Sequence, residues 1–179
     1  MKLVVLALLT VVALLERTVF DLGPNVELVT ALMVLSAFYF GRKYSLAAVL
    51  VVMVLSDLVI GNSGIFIFTW SGFLIPALFI HMAKRWDRLG LFSGIGANLF
   101  FFVWTNFGVW LMDGWGMYAN DLGGLVSSYV NGLPFLRLQL MSTILFVPLG
   151  VLVFEVLKKS VGLLNSSRKY VYCRAHCFK

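Results

Sequence analysis

The stretch GRKYSLAAVLVVMVLSDLVIGN, residues 41–62, decides the fold. A basic pair, Arg42 and Lys43, precedes an apolar run at 44–61. Ser56 and Asp57 interrupt that run near its far end, and Gly61 and Asn62 close it. Roughly 18 or more apolar residues with so little charge read as a membrane-crossing helix. Its ends differ in chemistry, basic at one and acidic at the other. Loops rich in Lys and Arg stay in the cytoplasm, so the Arg42 end is expected inside and the Asp57 end outside.

The rest of the chain repeats this polarity. Apolar runs lie at about 2–16, 26–40, 44–61, 64–82, 89–112 and 135–157. Leaving Arg17 and Arg137 aside, twelve of the fourteen basic residues fall in alternate gaps: Lys2, Arg42 and Lys43, Lys84, Arg85 and Arg88, and the tail from Lys158 to Lys179. Six spans with basic ends put both termini in the cytoplasm. The expected fold is an all-α integral membrane protein, a six-helix transmembrane bundle over 1–160 followed by a basic cytoplasmic tail, 161–179. Within the long connection from Asp113 to Pro134, the mildly apolar segment 123–131 is too short to cross twice. It predicts a short capping or re-entrant helix before the last span. The expected location is a bacterial inner membrane, multi-pass.

Composition agrees with that reading. The 179 residues are 61% hydrophobic and 12% charged, with mean hydropathy +0.96. A water-soluble core of this size has no room for so much apolar surface. Leu3–Leu15 after Lys2 has the charge and length of a secretory signal, but no small-x-small cleavage site follows. It is read as a retained first helix. The net charge of +6 sits beside helix ends without interleaved aromatics, which argues for anionic lipid and against nucleic acid. Cys173 and Cys177 lie in the basic tail, where a reducing cytoplasm disfavours a disulfide. Cys173, His176 and Cys177 make a lone short cluster, read as unstructured tail rather than a metal site.

The chemistry gathers at the other end. Six of the eight acids belong there: Glu16, Asp21, Glu27, Asp57, Asp113 and Asp121. Asn25, Asn106, Asn120, Asn131, Arg137 and Gln139 join them. Asp21 and Asn25, flanking a Gly-Pro pair, also suit ordinary turn chemistry. Asp57 and Asn106 are embedded in apolar sequence, where an ionisable group costs ~2.5–3.5 kcal/mol on insertion scales. Such groups face a cavity or one another, and Asn106 has the further option of bonding Asp57 or Thr105 to tie helices together. Trp104, Phe107 and Trp110, spaced by three, form a stripe that suits either a ligand wall or helix packing. The candidate substrate contacts are Asn25, Asp57, Asn106 and Arg137, with Trp110 and Tyr129 as walls. Zinc-protease, serine-hydrolase and phosphate-loop motifs are missing. No catalytic residue, metal or cofactor is expected.

Several motifs carry a resemblance. Residues 21–32, DLGPNVELVTAL, then Phe40-Gly41 and Ser56-Asp57 through Gly61, then 105–111, TNFGVWL, Gly124-Leu125, Tyr129 and Leu133-Pro134-Phe135 resemble a family of small bacterial membrane proteins. That family is related to the substrate-binding (S) components of energy-coupling-factor vitamin transporters, and the likeness covers about residues 16–150. It implies capture of a small vitamin-like molecule at the outer face. It also implies a transmembrane coupling subunit with two ATPase subunits as partners. S components often carry Ala-x-x-x-Ala in the first helix for docking; here Ala7 and Ala13 are six apart. The rival expectation is a non-transporting membrane scaffold of the cell envelope, of the rod-shape-determining type, with its polar groups mutually paired and no cavity.

Overall fold

The computed structural model describes residues 2–20, 22–23, 25–61, 64–83, 86–87, 89–113 and 116–176, with side chains from Leu3 to Lys159. Asp21, Asn62, the basic residues Lys84, Arg85 and Arg88, Trp115 and Cys177 lie outside the described residues. Six α-helices and no strand occur among the described residues: α1 Lys2–Leu15, α2 Val29–Tyr39, α3 Arg42–Ile60, α4 Phe66–Ala83, α5 Leu91–Leu111 and α6 Leu122–His176. A π-helical segment, Glu16–Phe20, continues α1.

Five stretches are long and apolar enough to cross a membrane: Leu3–Phe20, α3, α4, α5 and Leu122–Lys159. Large apolar side chains such as Leu58, Phe92, Leu122 and Leu152 stand exposed on the outside. In water this surface would be an aggregation liability; against lipid tails it is ordinary. The chain reads as a helical membrane protein.

The second helix departs from the expected span. At 11 residues and about 1.5 Å per residue, α2 is roughly half the ~30 Å hydrocarbon thickness. It sits inside the bundle instead, in contact with α1, α3, α4, α5 and α6. Every residue from Val29 to Phe38 is buried. Thr30 and Ser36 are therefore exposed to neither lipid nor water. Ser36 donates to Leu32 O at 2.5 Å. The turn into α3 runs through Gly41 at φ 102°, a region that favours glycine. Ser45 Oγ, donating to Met33 O at 2.9 Å, fastens α3 to α2.

Contacts fix the helix directions. Arg17, just after α1, meets Asp57 in the last turn of α3, so α1 and α3 run parallel. Tyr39, closing α2, donates its hydroxyl to Glu155 Oε1 at 3.0 Å and stacks on Phe154 at 4.3 Å. Gln139 lies beside Glu27 ahead of α2, so α2 and α6 also run parallel. Lipid tails are as apolar as leucine, so packing rests on close approach through small residues. Gly108 of α5 takes the ring of Phe68, Gly94 faces Thr143, and Gly132 of α6 faces the Asn106 amide; a Cβ at any of these would collide with its neighbour.

One sequence expectation is corrected here. Residues 123–131 do not form a separate capping or re-entrant helix. They are the opening turns of α6, which passes through Pro134 and Pro148 without ending. A proline removes one backbone donor, and membrane helices absorb that loss through neighbours and local adjustment. Ser128 Oγ, within reach of Leu125 O and Asn106 O, and the Gly132–Asn106 contact hold this part of α6 on α5. The tail, expected to be unstructured, has helical backbone through His176.

Candidate functional site

A cavity of about 370 Å³ lies where the π-helical segment, the 22–28 loop and the flanks of α3 to α6 converge. Its polar lining is Glu16, Arg17, Asn25, Glu27 and Gln139, and its apolar wall includes Phe73 and Phe101. It is at the end of the bundle opposite Arg42 and Lys43. The π turn matters to its shape, because widening the helix there redirects consecutive side chains. Glu16 is turned into the protein, 4% exposed, while Arg17 reaches α3.

Backbone amides hydrogen-bond to both acids, and neutral side chains and the Arg17 charge also act on Glu27. Glu16 Oε2 accepts the Leu28 N–H at 3.2 Å. Glu27, 8% exposed, accepts the Thr30 N–H at 3.0 Å on one oxygen and pairs with the Thr30 hydroxyl at 2.5 Å on the other. Thr30 lies in the first turn of α2, whose backbone amides lack helical partners and favour an anion. The same hydroxyl lies 2.9 Å from Asn98 Oδ1. The Asn98 amide then donates to Gln139 O at 3.0 Å and Thr143 Oγ1 at 2.7 Å. Gln139 Nε2 returns to Glu27 at 3.5 Å. A buried polar loop thus joins the cavity floor to α2, α5 and α6.

A second polar group abuts it. Arg17 Nη2 pairs with Asp57 Oδ1 at 3.2 Å and Arg17 Nε donates to Ser56 Oγ at 2.8 Å. Trp70 Nε1 donates to the other Asp57 oxygen at 2.6 Å. Asp57 therefore serves the cavity through Arg17 rather than lining it.

The sequence candidates separate. Asn25 lines the cavity from a left-handed backbone position, φ 57°. Asn106, Trp110 and Tyr129 gather instead along the α5–α6 seam. Asn106 Nδ2 donates to Phe102 O at 2.8 Å within its own helix rather than to Asp57 or Thr105. Trp110 Nε1 donates to Ala119 O at 3.0 Å, and Tyr129 OH to Val103 O at 3.2 Å. The aromatic stripe packs on α4: Phe68 sits 5.2 Å from Trp104 and 6.3 Å from Phe107. Arg137 is exposed. Gln139, two residues on, is buried at 2% exposure, because two helical steps turn a side chain by more than half a circle. Thr30, Trp70, Asn98 and Thr143 were not singled out by sequence reasoning. Asn98 offered a signal, an amide within the apolar run of α5.

A larger groove of about 520 Å³ between α3 and α4, lined by Leu46, Leu50, Ile67, Leu74 and Leu78 among others, is almost wholly apolar. It has the character of a surface filled by lipid chains. The 370 Å³ cavity brings polar groups together instead, and convergent polar groups characterise small-molecule sites.

Fold and cavity together define a helical membrane protein with an acidic, partly aromatic pocket at one end of its bundle. The chain matches a family of unknown function, DUF6580, over residues 1–167, and it belongs to that family. No curated protein and no solved structure matches it.

Proposed function

We propose that the protein is the substrate-capture subunit of a small-molecule importer of the energy-coupling-factor type, taking its ligand from the outer face. The observation that carries this reading is the cavity lined by Glu16, Asn25, Glu27 and Gln139. A scaffold whose polar groups were only paired with one another would have no use for that space. The distribution of Lys and Arg favours an outward-facing cavity, and ligand binding there would do no covalent chemistry. Affinity would come from desolvation and a few directed hydrogen bonds. Coupling to ATPase subunits would follow from the family resemblance. The exposed apolar face of α1, with Leu3, Val4, Leu8, Val11 and Val12, is the surface offered for it, built of larger side chains than an alanine pair.

Comparing solute depletion from a defined medium tests the proposal. Cells producing the protein are expected to remove one small solute faster than cells producing Gln139→Met at equal level. Identical depletion of every solute by both would overturn it.

A further inference from the structure

We infer that the ligand of this cavity is a small organic cation, an ammonium group on an apolar body, with the ammonium seated at Glu27 and Gln139 and the body against Phe73 and Phe101. The inference rests on the capture reading above and narrows its substrate class.

Charge is the first argument. The two carboxylates and one guanidinium that line the cavity are not equivalent, because Arg17 already has Asp57 and Ser56 as partners. The hydrogen bonds of Glu27 among the described residues go to neutral groups, the Thr30 amide, the Thr30 hydroxyl and the Gln139 amide, and Arg17 acts on it only through its charge at longer range. Burial pushes the Glu27 carboxyl above the ordinary carboxylate range and the Arg17 charge offsets only part of that, so its ionised form is costly at this depth without a closer positive charge. A bound cation supplies one.

Hydrogen-bond capacity is the second. Gln139 lines the cavity at 2% exposure, and its side-chain oxygen accepts no hydrogen bond from any described residue. Together with the Glu27 carboxylate it presents acceptors, and an ammonium presents only donors. A carboxylate ligand would meet these oxygens with more oxygens.

Shape is the third. The rings of Phe73 and Phe101, with centroids 4.4 Å apart, form one wall, and aromatic faces attract cations as well as apolar carbon. The volume of about 370 Å³ holds on the order of a dozen waters at ~30 Å³ each. A ligand of roughly that many non-hydrogen atoms fits.

Isothermal titration of the detergent-solubilised full chain with phenethylamine, 2-phenylethanol and phenylacetate tests the assignment, since the three share a body and differ in the polar group. Phenethylamine is expected to bind about tenfold or more tighter than the alcohol, a difference of ~1.4 kcal/mol, and phenylacetate weakest. Glu27→Gln is expected to erase the preference for the amine while leaving alcohol binding in place. Should that variant fail to fold, Gln139→Met, which keeps the volume and removes the acceptor, is expected to weaken amine binding in the same direction. Phenylacetate binding as tightly as the amine, an undiminished preference in the variants, or no binding of any probe overturns the inference. The capture reading is judged separately by solute depletion, so a depleted anion or neutral solute would retain the importer and discard the cation.

Discussion

Arg17 Nη2 lies 3.2 Å from Asp57 Oδ1, tying the π turn that follows α1 to the last turn of α3. This pair determines the electrostatics of the cavity beside it, because it engages Arg17, the cation among the described lining residues. Fully buried pairs cost about 3–5 kcal/mol to break and exposed ones at most ~1 kcal/mol. With its Arg17 side chain 23% exposed and Asp57 6% exposed, the pair belongs between them. Asp57→Asn and Arg17→Met are each expected to lose about 2 kcal/mol, read as a lower unfolding midpoint in detergent. The double variant is expected to lose less than the sum, as for any directly coupled pair; strict additivity would show that the contact is unimportant.

Asn98 is the hub of the buried polar loop. Replacing it with leucine takes the Asn98 donor from the Thr143 hydroxyl and the Asn98 acceptor from the Thr30 hydroxyl, while the Gln139 carbonyl keeps the Ser142 hydroxyl. Leaving buried groups unpaired costs about 1–3 kcal/mol. Thermal unfolding of Asn98→Leu is expected to show that loss, with Asn106→Leu milder because Asn106 bonds only within its own helix through its side chain. Equal losses would contradict the hub.

Gly108 receives the ring of Phe68 so closely that a methyl group has no space. Overpacking of this kind costs about 1–3 kcal/mol. Gly108→Ala is expected to destabilise the fold by that order, and adding Phe68→Leu to recover part of it. No recovery would mean that the strain lies elsewhere.

Cysteine labelling tests the orientation. In a Cys173→Ser, Cys177→Ser background, Asn25→Cys is expected to react with a membrane-impermeant maleimide in intact cells. Tyr44→Cys, at the basic end of α3, is expected to react only after permeabilisation. The reverse pattern would place the cavity on the cytoplasmic side.

Much of this architecture was legible because apolar length and Lys/Arg placement act locally. The runs at 44–61, 64–82 and 89–112 correspond to Arg42–Ile60, Phe66–Ala83 and Leu91–Leu111 within two residues. Residues 113–134 were misread at their far end, since Gly132 and Pro134 look like punctuation in water yet sit inside α6. Position in the bundle was not legible for α2, whose burial depends on neighbours distant in the chain. The site followed the same division. Asp57 and Asn106 stood out as polar groups within apolar sequence, whereas Asn25 beside Gly23-Pro24 suited turn chemistry as well. Choosing Arg137 over Gln139 required the rotational phase of α6, which apolar flanks on every side do not reveal. Accordingly, Arg137→Ala is expected to leave solute depletion unchanged where Gln139→Met abolishes it.

Native mass spectrometry of protein gently extracted from its membrane addresses the cavity's occupancy most directly. A small bound molecule, released on activation and missing from Gln139→Met, is expected. Bare protein from every preparation, or an adduct held equally by the variant, would contradict a ligand lodged among Glu16, Asn25, Glu27 and Gln139.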